Sequence, residues 1–265
     1  MTKTILITGA TDGIGLETAK MIAPLGHNIL LHGRNSARLS EIAKIISSIN
    51  GAGKIKTYCA DLSVLDEVKI LAQKVKSDVT MLDVLINNAG LFNTPNPLTH
   101  DGYDARFIVN VVAPYLLTTS LLPIFNTASR VINLSSAAQA PVNIDGFLNK
   151  ENFSHSDAYA QSKLALTMWS IEMAKELDTN GPIIIAVNPA SFLGSKMVRE
   201  AYGQSGHDLK IGADILTRAA LSDAFANASG QYYDNDRKSF ASPHPDALHS
   251  SKNKRVMEAI ESLIK

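Results

Sequence analysis

Thr8-Gly9-Ala10-Thr11-Asp12-Gly13-Ile14-Gly15 is the stretch on which the reading of this chain turns. It follows the short apolar run Thr4–Thr8 and opens a helix. A strand end, a tight turn and a helix N-terminus together form an anion site. The first-turn N–H groups have no intrahelical acceptor, and the positive end of the helix dipole points the same way. Gly9 permits the turn, Gly13 lets a pyrophosphate reach the backbone, and Gly15 allows close helix–strand packing. Thr11, Asp12 and Ile14 complete the candidate phosphate-binding set.

Outward from this loop, short apolar runs alternate with longer stretches of helical spacing. Strands are predicted at Thr4–Thr8, Asn28–His32, Ile55–Ala60, Val84–Asn87, Arg130–Leu134 and Ile183–Val187. Each is rich in Ile, Val or Leu and apolar at successive positions, the pattern of strands buried on both faces of a parallel sheet. Between them, Leu39, Ile42, Ile45/Ile46 and Ile49, then Leu65, Val68, Leu71 and Val75, recur at helical spacing, and Tyr103–Pro123 and Asp157–Leu177 are longer predicted helices. Asn50-Gly51-Ala52-Gly53 breaks the second helix from the third strand. Alternating strands and helices build right-handed βαβ units. The predicted class is therefore α/β: a doubly wound, mostly parallel sheet with helices on both faces (Rossmann-type), in a single domain over 1–265. Residues 191–212, weakly periodic with several Gly, are expected to form a lid over the substrate.

Composition narrows the functions. The 265 residues carry 25 Lys+Arg and 25 Asp+Glu, a formal net charge of +0, with the cations scattered along the chain. Binding to a nucleic-acid backbone requires a clustered basic surface, so no such partner is expected. The single cysteine, Cys59, excludes an intrachain disulfide and is expected as a buried structural thiol. The 7 His show no metal-ligand spacing, and no metal is expected. Residues 1–8 are too short for a secretory leader, and no apolar run is read as long enough for a membrane span, so the expectation is a soluble cytoplasmic protein.

The second strand ends in His32-Gly33-Arg34-Asn35. An acid there would bind the adenosine ribose of NAD and repel a 2′-phosphate, but none is present. Gly33 leaves room and Arg34, beside Asn35, offers a planar cationic fork suited to phosphate, which points to NADP(H).

Farther along, Tyr159 and Lys163 are four residues apart in a predicted helix and share a face. A phenol has an unperturbed pKa near 10, and a nearby ammonium favours its ionised form, so the pair is suited to general acid/base work. The strand Arg130–Leu134 runs into Ser135-Ser136, at the carboxyl edge where open α/β sheets hold ligands.

In this order, Gly9/Gly13/Gly15, Asp61-Leu62, Asn87-Asn88-Ala89-Gly90, Asn110, Ser136 and Tyr159/Lys163 resemble the motif series of the short-chain dehydrogenase/reductase family over essentially the whole chain. The resemblance implies that Tyr159 exchanges a proton with a carbonyl or alcohol. Lys163 would bind the nicotinamide ribose and acidify Tyr159. Ser136 would hold the reacting oxygen, and Asn110 a water in the proton relay. Asp61 and Leu62 would border the adenine, and Asn88, Ala89, Gly90 and Pro189 would line the cofactor cleft. Within the family the chain is similar to the retinol-dehydrogenase-like and protochlorophyllide-reductase-like branch, through His32-Gly33-Arg34-Asn35, the long Ser136-to-Tyr159 stretch and Gly230-Gln231-Tyr232-Tyr233-Asp234.

One departure stands out: Asn188-Pro189-Ala190-Ser191 carries Ala where the family commonly has Gly, and leaves the role of Ser195 open. Phe147, Leu148, Phe153, Phe192, Leu193, Met197, Val198 and Tyr202 are expected near the nicotinamide, which suggests an apolar or aromatic carbonyl. Trp169 is expected in the core or an interface. The two long helices commonly pair across a two-fold in the family, so a homodimer or homotetramer is implied. The resulting expectation is an NADP(H)-dependent carbonyl reductase or alcohol dehydrogenase. The rivals are a catalytically idle NADP(H)-binding sensor or scaffold on the same fold, and an enzyme reducing carbon–carbon double bonds.

Overall fold

Each of the first five parallel strands gives way to a helix that carries the chain back along a face of the sheet. The structure, a computed structural model, describes residues 1–195, 198, 199, 203 and 205–264. Its strands are β1 (Thr4–Ile7), β2 (Asn28–Gly33), β3 (Ile55–Cys59), β4 (Val84–Asn87), β5 (Arg130–Leu134), β6 (Ile183–Asn188), β7 (Tyr232–Asp234) and β8 (Ser239–Ala241). They form one sheet in the order β3-β2-β1-β4-β5-β6-β7-β8, parallel except for β8. The doubly wound α/β architecture is thus present, with a C-terminal hairpin, β7–β8, beyond the six expected strands.

Alternation of side chains along each strand divides the core. Leu6, Leu30, Leu85, Val131 and Ile184 face one helical layer: α3 (Leu65–Asp78), α4 (Ala105–Ile124), the short α5 (Ile144–Leu148), α6 (His155–Leu177) and α8 (Ser250–Ile264). Ile5, Ile7, Ile29, Val84, Ile86, Ile132 and Ile185 face α1 (Gly13–Ile22), α2 (Ser36–Ser47) and α7 (Leu209–Leu221). A sheet buried on both sides needs apolar residues at odd and even positions alike, which is why the central strands read as unbroken apolar runs.

The edge strand departs from that pattern. In β3 only Tyr58 is buried, and Cys59 is exposed. The expected buried thiol is therefore overturned: β3 has a neighbour on one side only, and Lys56, Thr57 and Cys59 are solvated.

Helix α4 also corrects the sequence reading. Over Ala105–Ile124 it is long and apolar enough to cross a membrane by length and composition, yet 72% of its apolar window is buried within the fold. Trp169 of α6 is wholly buried and meets Tyr115 of α4 edge-on, with ring centroids 5.6 Å apart. Helix α8 packs on this seam: Val256, Met257 and Ile260 share its core, Glu261 accepts the Tyr115 hydroxyl at 2.6 Å, and the Ser250 hydroxyl reaches buried Glu172 at 2.7 Å. Pairing of α4 and α6 with a second chain would have to share this face with α8.

Candidate active site

The expected site residues come after the carboxyl ends of β1 to β6 and from α4 and α6, on the edge of the sheet where the strand order reverses between β1 and β4. The glycine loop is held from both sides. Its Gly9 N–H donates to His32 Nδ1 at 3.3 Å and the Ala10 N–H to the His32 carbonyl at 2.9 Å. His32 Nε2 donates to the Ala60 carbonyl at 3.0 Å. Across the switch, the Asn88 amide donates to the carbonyls of Thr8 (2.8 Å) and Gly9 (3.1 Å), and the Thr8 hydroxyl accepts the N–H groups of Asn88 and Ala89.

Burial holds the His32 imidazole neutral, its pKa lowered to about 4, so that Nδ1 stays an acceptor. With its folded pKa below the unfolded value, its contribution to stability is present above about pH 6.5 and is lost as pH falls toward 4. The expected loss from this group between pH 7 and 4.5 is roughly 2–3 kcal/mol. Urea denaturation of wild type and His32→Gln at both pH values measures it. The wild type should lose that much more than the variant; equal losses would mean that His32 does not carry the acid sensitivity.

The three loop glycines serve different ends. Gly13 has φ +56°, and a Cβ there would meet only Ser195 Cβ, 3.9 Å away. This open backbone at the start of α1 is the cradle a pyrophosphate needs, so the site fits a dinucleotide. Gly9 has φ +65°, and a Cβ there would lie 2.9 Å from Ala89 Cα. Gly15 makes room for the loop after β4 rather than for helix–strand packing: its Cβ would lie 2.5 Å from the Gly9 carbonyl oxygen and closer still to the Asn88 amide. The room at Gly33 is taken by Thr11, whose methyl a Cβ would strike at 2.6 Å, so that glycine accommodates the loop itself.

Other expected cofactor residues have visible structural duties. Exposed Asp12 caps α1, its carboxylate accepting the Gly13 N–H at 2.7 Å, a donor that a phosphate would otherwise use. Asn35 caps α2 through the Arg38 N–H. Arg34 is exposed at the end of β2 and makes no ion pair among the described residues. Asp61 accepts the N–H and hydroxyl of Ser63, and Leu62 is buried. Asn87 is buried and bridges to Asn133 and Thr118 inside the fold.

The structure brings Tyr159, Lys163, Asn110 and Gly90 together. Tyr159 is half-buried on α6, its ring tilted against Phe92 at 4.8 Å and 5.5 Å from Lys163 Nζ. Lys163 donates to the Leu134 carbonyl at the end of β5 (2.7 Å), and burial lowers its pKa to about 8. A Cβ on Gly90 would sit 3.3 Å from Asn110 Oδ1 and 3.6 Å from Lys163 Nζ. The Asn110 side chain is engaged: Oδ1 accepts the Leu91 N–H, and Nδ2 reaches the Leu91 carbonyl and Ser162 Oγ.

Asn110 lies in a π-helical turn, Ile108–Val112, within α4. The residue four positions on is Pro114, which has no N–H for the Asn110 carbonyl.

Of the two serines, Ser135 is buried against Thr167 Oγ1 (2.6 Å). Ser136 is partly exposed, and its hydroxyl oxygen accepts the Ala138 N–H at 3.1 Å, which leaves the hydroxyl hydrogen to a ligand. Its carbonyl accepts from the Gln139 amide and the hydroxyl of Tyr232, a residue of the C-terminal motif.

Beyond β6, buried Pro189 leads into Ala190 with φ +121°, a conformation natural to glycine that costs roughly 1–3 kcal/mol for other residues. Asp236 of the β7–β8 turn holds this segment through the Ser191 N–H (2.9 Å) and hydroxyl (2.7 Å). Burial opposes ionisation of Asp236, but the Ser191 and Asn188 hydrogen bonds prevail, and its pKa lies below the usual carboxylate value.

Phe147 and Phe153 pack against Phe107, with ring centroids at 4.4 and 5.8 Å, so they belong to the packing of α4 rather than to an exposed overhang. Leu193 is buried, Phe192 exposed and Val198 half-buried; Met197 and Tyr202 lie outside the described residues. Phe92, beside Tyr159, is a neighbour that no sequence spacing signals, since the two lie 67 positions apart.

Comparison with known proteins gives a consistent picture. A family model described as short chain dehydrogenase matches residues 3–206. Retinol dehydrogenase 13 of Mus musculus is 31% identical over 92% of this chain and 79% of its own length. Human polyprenol dehydrogenase is 33% identical over 68% of this chain and 57% of its own length. Among solved structures, an uncharacterised protein from Mycobacterium paratuberculosis superposes with a TM-score of 0.82 at 25% identity, covering 99% of this chain and 93% of that one. The angucycline C-6 ketoreductase LanV with bound NADP gives 0.69 at 26% identity, covering 88% and 94%.

Proposed function

This chain belongs to the short-chain dehydrogenase family, and from that premise we propose that it transfers a hydride between NADP(H) and a carbonyl/alcohol pair, with Tyr159 as general acid/base. The observation that carries the proposal is the placement of the Tyr159 ring 5.5 Å from the buried Lys163 ammonium, at the carboxyl edge of the sheet.

A bound nicotinamide would supply the hydride to a carbonyl carbon or take it from an alcohol. The glycine loop, with Gly9, Thr11, Gly13, Ile14 and Gly15, would hold the pyrophosphate; Asp61, Leu62, Asn88, Ala89 and Pro189 would border the cleft. Ser136 donates a hydrogen bond to the reacting oxygen, and Tyr159 gives that oxygen its proton. Lys163, held against the Leu134 carbonyl, stabilises the phenolate left behind. Since the Asn110 side chain is occupied, its main-chain carbonyl is the group left to hold a relay water.

Exposed Arg34 supports NADP(H), as does the NADP-bound LanV relative. Arg34→Ala should weaken NADPH binding about 10-fold or more, in keeping with a charge-assisted phosphate contact of roughly 1.5–3 kcal/mol, while NADH binding stays unchanged. Fluorescence titration with both cofactors measures this; an unaltered preference would remove the electrostatic argument.

The relatives named retinol and polyprenol dehydrogenase, together with Phe92 beside Tyr159, favour an apolar primary or secondary alcohol and its carbonyl as substrate. In this reading 1–265 is one catalytic domain, soluble and cytoplasmic, and 191–212 is its lid, a segment that runs into the first turn of α7 and in part lies outside the described residues. Pairing of Leu193 with His207, and Ser195 beside Gly13, support that lid.

The test is a panel of retinoid, aliphatic and aromatic aldehydes and alcohols followed at the nicotinamide absorbance with both cofactors. Turnover of apolar carbonyls with NADPH is expected. Tight NADPH binding without any turnover would identify an idle binder instead.

A further inference from the structure

We propose that Arg106 and His155 are positioning residues: they pin α4 to α6 one helical turn before Asn110 and Tyr159, and thereby set the Tyr159 phenol beside Lys163. The inference rests on the proton-transfer role given to Tyr159 above.

Arg106 is 1% exposed, an unusual place for a guanidinium. Asp104, 3% exposed and the cap of α4, neutralises it. One carboxylate oxygen accepts the Arg106 N–H and Nε at 2.8 Å each, and the other accepts Nη2. That fork leaves Nη1, which donates to His155 Nδ1 at 2.6 Å. The imidazole therefore accepts through Nδ1 and, when neutral, carries its proton on Nε2.

A buried ion pair is weak evidence for stability, since desolvation offsets its attraction. Its geometry here is more telling. Residues four apart on a helix stack on one face, and Arg106 precedes Asn110 by four, as His155 precedes Tyr159. A second link crosses the same seam at Asn110 Nδ2 to Ser162 Oγ, 2.9 Å, and Ser162 Oγ bonds back to the Tyr159 carbonyl at 2.7 Å. Tyr159 thus sits between two cross-helix ties. Removing the upstream tie loosens the first turn of α6, ahead of Tyr159, and lets the phenol turn away from Lys163. Displacements of about 1 Å at a catalytic group cost on the order of 10²-fold in rate.

The test uses His155→Leu, which deletes the acceptor on an exposed residue; His155→Asn, whose Oδ1 can replace Nδ1; and Arg106→Lys, which keeps the charge but loses the fork. The readouts are kcat and KM for NADPH-dependent carbonyl reduction, and tyrosinate absorbance against pH, with Tyr159 isolated by subtracting a Tyr159→Phe titration.

His155→Leu and Arg106→Lys should lower kcat by roughly 10–100-fold with KM nearly constant, and raise the pH at which Tyr159 ionises. His155→Asn should restore both. Folded His155→Leu with wild-type kcat and an unmoved Tyr159 titration would overturn the inference, as would an Asn variant no better than Leu. If the wild type itself turns over no substrate, the proposed function fails, and the Tyr159 titration alone decides the clamp.

Discussion

Tyr159→Phe should reduce carbonyl turnover by at least ~10²–10⁴-fold, the range that loss of a general acid brings, with NADPH affinity close to wild type. The substitution removes one oxygen and keeps the ring that packs on Phe92. Lys163 retains its bond to the Leu134 carbonyl, Asn110 its bonds to Leu91 and Ser162, and the glycine loop is untouched. Folding and dinucleotide binding therefore have no reason to change, while the proton donor is gone. Steady-state kinetics with NADPH, beside a fluorescence titration of NADPH on the same preparation, separates the two effects. Full activity in this variant would end the assignment of Tyr159.

The second large effect is expected at Gly15. An added methyl would press on the Gly9 carbonyl oxygen at 2.5 Å and on the Asn88 amide, which already bonds to the carbonyls of Thr8 and Gly9. None of these neighbours is the free end of a flexible chain, so relief requires moving the loop after β1 or the loop after β4. Either movement spoils the anion cradle. Gly15→Ala should therefore weaken NADPH binding about 10-fold or more and lower the melting temperature, since overpacking a tight site costs roughly 1–3 kcal/mol. Gly13→Ala is the contrast. In the fold its space is open, so its stability penalty is only the left-handed φ of +56°, worth about 1 kcal/mol, although its methyl would stand in the pyrophosphate cradle. NADPH titration and thermal unfolding of both variants check the ranking, and equal affinities for Gly15→Ala and wild type would refute it.

Much of this architecture is legible in the chain because local chemistry and tertiary environment agree. Val84–Asn87 and Arg130–Leu134 are buried on both sides, read as apolar runs, and occur with those limits. Strands β7 and β8, three residues each, are too short to show a period, and β8 pairs antiparallel. Cys59 lies in an apolar-leaning stretch, yet whether a strand is central or at the edge is a property of sheet order, which periodicity does not encode.

The site divides in the same way. Tyr159 and Lys163 are neighbours on one helix and could be paired from spacing. Phe92 against Tyr159, Tyr232 against the Ser136 carbonyl, and Arg106 against His155 are contacts between distant segments. Two backbone features trace to single residues of the chain. Pro114, four residues after Asn110, already removes the N–H that an α-helix would give the Asn110 carbonyl. Ala190, in place of the family's Gly, proves to adopt a glycine-like φ of +121°.

Hydride transfer with proton donation from Tyr159 is tested most directly by the fate of one hydrogen. Reduction of an apolar aldehyde with NADPH deuterated at the transferring C4 position should yield an alcohol one mass unit heavier, with deuterium on the carbinol carbon, and should do so at least ~10²-fold more slowly with Tyr159→Phe than with wild type. An alcohol formed by the wild type without the label, or labelled product formed equally by the Tyr159→Phe variant, would contradict it.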